Sequence, residues 1–220
     1  MREGKPGERH PPKLPKPLAA AQTTEIEEHE LYSQLLFDHL DFSGTHAARP
    51  AFEQVLFRRS IFLQTHLPDL RLLDCRLEKC DTSAAMWEKA HLRRVEFNGC
   101  RMLGAVLIEA ALEDILFTEC LAEKINFGFA VLKITRFEQC NLRSASFAGA
   151  DCRGVVFHGC DLSGADFREA KLESADLRTA TINGLQVGVK ELQGAIIAPE
   201  QAVQVAGLLG IRVQEPDDML

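Results

Sequence analysis

The sequence predicts an all-β solenoid, a rod of stacked four-sided coils followed by a short C-terminal helix. From Tyr32 to Ile197 nearly every fifth residue is a bulky apolar side chain, and the register does not slip. A smaller residue, often Ala or Cys, lies two positions before each bulky one. Like residues also recur every twenty positions, as do Phe97, Phe117, Phe137 and Phe157. A strict repeat over most of a chain is typical of a solenoid.

The five-residue period predicts the geometry of the central region, residues 31–197. A period of five matches neither the 3.6-residue helix nor the two-residue strand alternation, so the chain must turn at every unit. The bulky residue and the smaller one before it then point inward, and the other positions face water. Four units make one coil. Because stacked strands lie about 4.8 Å apart, about eight coils make a rod roughly 38 Å long.

Residues 1–30 have a different composition and predict a flexible N-terminal extension. Prolines alternate with lysines there, and an acidic cluster follows: Pro11, Pro12, Lys13, Pro15, Lys16, Pro17, Glu25, Glu27, Glu28 and Glu30. Such a segment buries too little apolar surface to offset the entropy that it loses on ordering. We therefore interpret it as an appendage to the repeat domain.

Residues 198–220 predict a helix and a tail. The five-residue frame stops near Ile197, and Pro199 follows at a position that suits the first turn of a helix. The segment from Glu200 to Leu209 then reads as one amphipathic helix, ended by Gly210. Its apolar stripe consists of Val203, Ala206, Leu208 and Leu209. We interpret this helix as a cap over the strand edges at the end of the rod.

Composition indicates a cytoplasmic protein without a membrane span. The chain is 46% hydrophobic, yet no apolar run is long enough to cross a bilayer. The N-terminus lacks the apolar segment of a signal peptide. Seven cysteines, an odd number, occupy positions that are predicted to face inward. This usage favours a reducing compartment over a disulfide scaffold.

The sequence predicts no catalytic residue, no metal site and no cofactor. Five cysteines spaced by twenty form a column, but a linear stack does not provide the tetrahedral ligand set that zinc prefers. Cysteine also serves as a small apolar side chain that suits a narrow inward position. The histidines at outward positions lie on different faces or far apart along the rod: His39, His46, His66, His91 and His158. An enzyme needs convergent polar groups in a concave site.

The repeat resembles that of the pentapeptide-repeat proteins, whose consensus is a small residue, then Asp or Asn, then Leu or Phe, then two variable positions. The clearest copies are Ala165-Asp166-Phe167 and Ala175-Asp176-Leu177. The resemblance covers about three quarters of the chain and implies a right-handed quadrilateral β-helix. Within the family, the chain is most similar to the quinolone-resistance (Qnr) and gyrase-inhibitor branch. For the C-terminal helix, that branch implies a homodimer contact as a second role.

The outward positions predict one face for binding a protein partner. This face combines exposed apolar residues with a modest acidic excess, a composition that favours protein contacts. Its residues are Met86, Glu88, Val106, Ile108, Glu109, Phe129, Asp166 and Glu169. The net charge of −7 favours a basic protein as the partner over nucleic acid or an anionic membrane.

Two functions remain open from the sequence. The first is a non-enzymatic interaction scaffold with an unidentified protein partner. The second, implied by the family resemblance, is a DNA mimic that binds DNA gyrase or topoisomerase IV and changes susceptibility to quinolones. A 38 Å duplex carries about 22 negative charges, whereas residues 31–197 hold 22 Asp and Glu against 19 Lys and Arg. No insertion interrupts the repeat from about Phe52 to Ile197, although drug-protecting relatives carry such loops.

Overall fold

The computed structural model describes residues 8–21, 23, 25–208 and 210–214. Eleven strands of one sheet lie in this part of the chain, followed by a 3₁₀ turn and a short helix. Their bounds are β1 (Ala19–Ala20), β2 (Leu31–Ser33), β3 (Leu35–Asp38), β4 (Ala51–Glu53), β5 (Leu56–Arg58), β6 (Arg71–Glu78), β7 (His91–Asn98), β8 (Ala111–Thr118), β9 (Val131–Lys133), β10 (Arg136–Glu138), β11 (Val156–His158), the 3₁₀ turn Pro199–Gln201 and α1 (Ala202–Leu208).

Successive coils pair in parallel at a spacing of twenty residues. In β6, β7 and β8, for example, Leu72 pairs with Leu92 and Leu92 with Leu112. On this side of the rod, successive parallel partners make about seven turns. These partners are Leu31, Ala51, Arg71, His91, Ala111, Val131, Asp151 and Lys171. The predicted all-β solenoid with twenty residues in each coil is confirmed.

We number the four faces of the rod by the inward residue at the centre of each. Around one coil these residues are Leu92 on face 1, Phe97 on face 2, Met102 on face 3 and Leu107 on face 4. The same faces recur every twenty residues. Faces 1 and 2 contain β2 to β11, whereas faces 3 and 4 are joined between coils by isolated bridges such as Met86 to Val106.

From His29 to Ser174, each corner between two faces is a residue in the left-handed backbone region. Corner residues that are not glycine include Lys79 and Lys89, with φ of 53° and 57°. Glycine adopts this conformation without a steric cost. Glycines at corners have φ between 60° and 70° in Gly99, Gly149, Gly159 and Gly164. The period of five thus comes from one left-handed residue per unit.

Aromatic rings stack inside the rod in continuous columns. On face 2, Phe97, Phe117, Phe137 and Phe157 are at most 1% exposed, and neighbouring centroids lie 4.8, 4.6 and 5.2 Å apart. The rings are nearly parallel, with interplanar angles of 3° to 11°. Because the inward side chains of each coil pack on those of the next coil, the interior is one contiguous apolar core.

The cysteines pack within this core. All seven are buried free thiols. In the column of five, Sγ of Cys100 lies 3.4 Å from the Leu77 carbonyl oxygen, and Sγ of Cys120 lies 3.4 Å from that of Phe97. Burial raises the pKa of Cys75 to about 12 and also raises that of Cys152. These thiols therefore act as small core side chains, as the sequence predicts.

The N-terminal segment contacts the rod in its described part, and its flexibility stays a prediction. Residues 8–21 lie along the rod, and β1 pairs with β3 through Ala19 and Ala20. The core also starts before residue 31, because Ile26 is buried. The physical reason is that polar groups of this segment meet carboxylates on the rod, a pairing that composition alone does not reveal.

Replacing Phe137 with Ala tests the stacked column. The substitution removes a buried ring between Phe117 and Phe157, so we expect the free energy of unfolding to fall by about 3–5 kcal/mol in urea titrations. Phe129→Ala is the matched control, because the Phe129 side chain is 64% exposed and should change stability by at most about 0.5 kcal/mol. Equal losses from both substitutions would contradict the stacked core.

Candidate protein-interaction surfaces

The structure places all eight residues of the predicted binding face on face 4 or on its corner with face 1. Met86 and Val106 pair directly, and the same column continues through three further bridges to Asp166. Glu88 and Ile108 lie on the other side of the central inward column. The corner column contains Glu109, Phe129 and Glu169, with φ of 58°, 58° and 62°. Met86 and Asp166 lie four coils apart, or roughly 19 Å.

The centre of this surface is apolar. The side chain of Met86 is 38% exposed, and that of Phe129 is 64% exposed. The Phe129 ring lies over Gly149 in the next coil, where an added Cβ would sit 2.6 Å from the ring. Across the corner on face 1, Val131 is 38% exposed and extends the patch. Val131 is absent from the predicted face, because the prediction grouped the outward residues one face at a time. Val131 lies on face 1 and is near Phe129 only across the corner that faces 4 and 1 share.

Ion pairs neutralise two of the four acidic residues on this surface. Asp166 pairs with Arg168 at 2.7 Å, and Glu109 pairs with Lys89 at 3.7 Å. The hydrogen bond from Arg168 lowers the pKa of Asp166 below its ordinary value. The predicted acidic excess is therefore weaker than the composition of the face indicates. The patch is better described as apolar with paired charges at its edges.

Glu88 differs from these two carboxylates. Its Oε2 atom is buried and has no hydrogen-bond partner among the described residues. Nε2 of His66 lies 3.8 Å away, beyond hydrogen-bonding distance. The side chain as a whole is 34% exposed, so the rest of it stays accessible to a partner.

The C-terminal helix caps the rod with a different stripe from the predicted one. Its rod-facing residues Gln201, Val205 and Leu208 are spaced four and three apart, as one helix face requires. Gln201 is buried, and its Nε2 donates to the carbonyl oxygens of Leu177 (2.8 Å) and Ala180 (2.7 Å). The cap thus satisfies backbone acceptors of the last coils.

The predicted cap residues divide between the two sides of this helix. Leu208 packs against the core, and Ala206 is half-buried. Val203 is 58% exposed and points away from the rod, so it does not cap. Leu209 lies outside the described residues. The helix has only seven residues. If the side that faces the rod is assigned slightly wrongly, the residues predicted to contact the rod therefore differ from those that do.

The described residues contain neither a metal-binding group nor a helix that could cross a membrane. In the described part of the chain, no group of three or more His, Cys, Asp or Glu side chains is arranged to hold a metal ion. Across the same residues, no helix has the length and apolar character needed to traverse a membrane. The outward histidines lie apart, except for His46 and His66, whose rings meet edge to face at 5.7 Å.

Two family models match the repeat region. One, described as a pentapeptide repeat region, matches residues 70–147, and the other, described as pentapeptide repeats in eight copies, matches residues 145–184. Together they cover just over half of the chain. The chain belongs to the pentapeptide-repeat family. No curated protein sequence matches the chain.

Solved pentapeptide-repeat proteins are similar along most of the chain. A trypsin-treated form of QnrB1, a plasmid-mediated fluoroquinolone resistance protein, is 22% identical, with a TM-score of 0.48, and covers 86% of this chain and 98% of its own. HetL, involved in heterocyst differentiation regulation in the cyanobacterium Nostoc sp. strain PCC 7120, is 22% identical, with a TM-score of 0.38 and coverages of 80% and 90%. These values are too low to transfer a function to this pentapeptide-repeat protein.

Replacing Gln201 with Ala tests the cap. The carbonyl oxygen of Ala180 would lose its donor, and that of Leu177 would keep only the amide of Ala180, so we expect the free energy of unfolding to fall by about 1–3 kcal/mol. Gln204→Ala is the matched control, because Gln204 is exposed and donates one hydrogen bond, to Asn183 at 3.2 Å. Urea unfolding of both variants measures the difference. A Gln201→Ala protein as stable as the control would show that the helix does not seal the rod.

Proposed function

We propose that this protein is a non-catalytic interaction scaffold that binds a protein partner through face 4. The observation that carries the proposal is the apolar character of this surface, where Phe129, Met86 and Val131 are exposed and Ile108 is half-buried. Exposed aromatic and methionine side chains are enriched at the centres of protein interfaces. Glu88 adds an acceptor that lacks a donor within the described residues.

The rigidity of the rod supports this role. Outward side chains of face 4 project from backbone that is bonded to the coils on both sides, as in the amide of Glu109 to the Gly128 carbonyl at 2.9 Å. Phe129 is held in the same way by Ala148. A preorganised surface loses little conformational entropy on binding. The patch can therefore bind without a loop that must first become ordered.

We also propose that the protein is cytoplasmic and that it forms a homodimer through α1. Seven buried free thiols fit a reducing cytoplasm. The exposed Val203 on α1 provides an apolar contact for a homodimer on the side opposite the cap, so capping and dimerisation would use different residues. We propose neither nucleic acid nor a membrane as a direct ligand.

Site-specific photo-crosslinking tests the patch. A photoreactive phenylalanine analogue at Phe129 is expected to crosslink one discrete protein in host extract, detected by mass spectrometry. The same analogue at Leu121, which is 52% exposed on face 3, is the matched control and should not. Ile108→Glu should reduce the crosslink at least about tenfold, because it buries an unpaired charge in the interface. Equal yields at both positions would contradict face 4 as the binding surface.

DNA gyrase or topoisomerase IV is the alternative partner, through mimicry of DNA. Ion pairs weaken this candidate, because carboxylates of the last coils pair with arginines instead of forming a free negative surface: Asp151 with Arg153, Asp161 with Arg143, Asp166 with Arg168 and Asp176 with Arg178. A DNA mimic needs carboxylates that are available to the basic groove of the enzyme.

A supercoiling assay separates the two candidates. We expect no change in supercoiling by purified gyrase at a large molar excess of the protein, with or without a quinolone, because the net charge of the rod is small. A basic protein without gyrase affinity serves as the control for nonspecific effects on DNA. Inhibition of supercoiling, or relief of the quinolone effect, would support topoisomerase binding and overturn the expectation.

A further inference from the structure

A second surface runs along the corner between faces 1 and 2, on the other side of face 1 from Phe129. We call residues 8–21 the strap, and we call the positions that receive it the corner groove: Gln54, Asp74, Arg94, Glu96 and Asp114. The strap crosses the coils from Asp114 down to Gln54 and then joins the first coil. The groove is thus already a binding site for an extended peptide, with a segment of the same chain as its occupant.

The contacts of the strap follow the spacing of the coils. The amide of His10 donates to Oδ1 of Asp114 at 3.0 Å, and the amide of Lys13 donates to Oδ1 of Asp74 at 2.9 Å. Asp74 and Asp114 lie two coils apart, or about 9.6 Å. Three residues of polyproline II chain span about 9.3 Å. An extended peptide therefore places every third amide at every second coil.

Side-chain recognition adds to this backbone match. Nη2 of Arg9 donates to Oε1 of Glu96 at 2.8 Å, and the two side chains are 16% and 9% exposed. Nε2 of Gln54 donates to the Lys13 carbonyl oxygen at 3.1 Å. The groove therefore recognises an arginine, two amides and one carbonyl of an extended segment. Charge-assisted hydrogen bonds of this kind are stronger than neutral ones.

Two of the three carboxylates in the groove, Asp74 and Glu96, stay paired when the strap leaves, whereas Asp114 loses its hydrogen bond from His10. Arg94 donates two hydrogen bonds of 2.6 Å to Asp74, and Arg76 donates to Oε2 of Glu96 at 2.9 Å. Burial alone would raise the pKa of Asp74, but the bonds from Arg94 and the Lys13 amide outweigh it and lower that pKa. Counting Arg76, which pairs with Glu96 from beside the groove, three carboxylates against two arginines leave the empty groove with one net negative charge.

The strap itself is weakly anchored. Of its described residues, only Ala21 packs against the apolar core. Its four prolines have no amide to donate, so the strap cannot continue the strand pairing of Ala19 and Ala20. Nη1 of Arg9 is buried without a hydrogen-bond partner among the described residues. An occupant with these features is bound by a few polar contacts and is able to exchange.

We propose that the corner groove is a docking site for an extended, basic, proline-containing segment of a partner protein, and that the strap occupies it until such a segment displaces it. The partner segment presents an arginine beside a first amide, and a second amide three residues further along. This site is separate from the face 4 patch, and a partner could engage either one alone.

The test uses a fluorescent synthetic peptide with the sequence of residues 8–21 and measures its binding to the full chain by anisotropy. Arg9→Ala in the protein weakens the strap while the groove remains complete. We expect this variant to bind the peptide about tenfold more tightly than the unmodified chain, because one charge-assisted hydrogen bond of the competitor is lost. Circular dichroism and urea unfolding confirm that the variant is folded.

A peptide control establishes that the peptide occupies the groove. A peptide with its own Arg9→Ala change should bind the Arg9→Ala chain about tenfold more weakly than the peptide with the natural sequence, because it lacks the hydrogen bond to Glu96. Equal binding of the natural peptide by the unmodified and Arg9→Ala chains, or equal binding of the two peptides, would overturn the proposal.

Hydrogen exchange provides an independent measurement on the unmodified chain. The amides of His10 and Lys13 are expected to exchange at least about tenfold faster than that of Phe117 in β8, because a displaceable strap opens without unfolding the rod. Protection of the strap amides equal to that of Phe117 would show that the strap is a permanent part of the fold and would overturn the proposal.

Discussion

The left-handed residue at every fifth position is the constraint on which the rest of this structure depends. It turns the chain by one side of the square and therefore places every fifth side chain in the same orientation. Left-handed backbone is unfavourable for most L-residues, yet lysine, glutamate and phenylalanine all occupy it here. The ladder between coils compensates, since the corner amides are bonded to the next coil, as Lys79 is to Asn98 at 2.8 Å.

Because every coil repeats the same turns, residues twenty apart become neighbours and columns become the functional unit. Inward columns stack phenylalanine on phenylalanine and thiol on thiol, which makes the core continuous. Outward columns bring side chains with no sequence proximity to about 4.8 Å spacing. A single substitution therefore changes one position in a column. The binding specificity of a face depends on which residues follow one another at twenty-residue intervals.

The fold could be predicted from the sequence because its signal is periodic and local. Phe97, Phe117 and the corner glycine Gly99 all follow from the five- and twenty-residue periods. The position of the strap could not, because its contact of Arg9 with Glu96 joins residues 87 apart and lies outside any period. For the same reason, the face of Asp166 was predictable, whereas its pairing with Arg168 depended on side-chain conformation.

The corner groove shows how a repeat without loops can still recognise a specific peptide. Asp74 and Asp114 have φ of 54° and 60°, so their carboxylates radiate from the edge of the rod instead of lying flat on a face. Arg94 lies between them in the same column and pairs with Asp74, leaving Asp114 to the amide of His10. The coil spacing then sets the length of chain between contacts. In this column, acidic and basic side chains alternate from coil to coil. The spacing of the coils therefore fixes the distance between the residues of an extended segment that the column can bind.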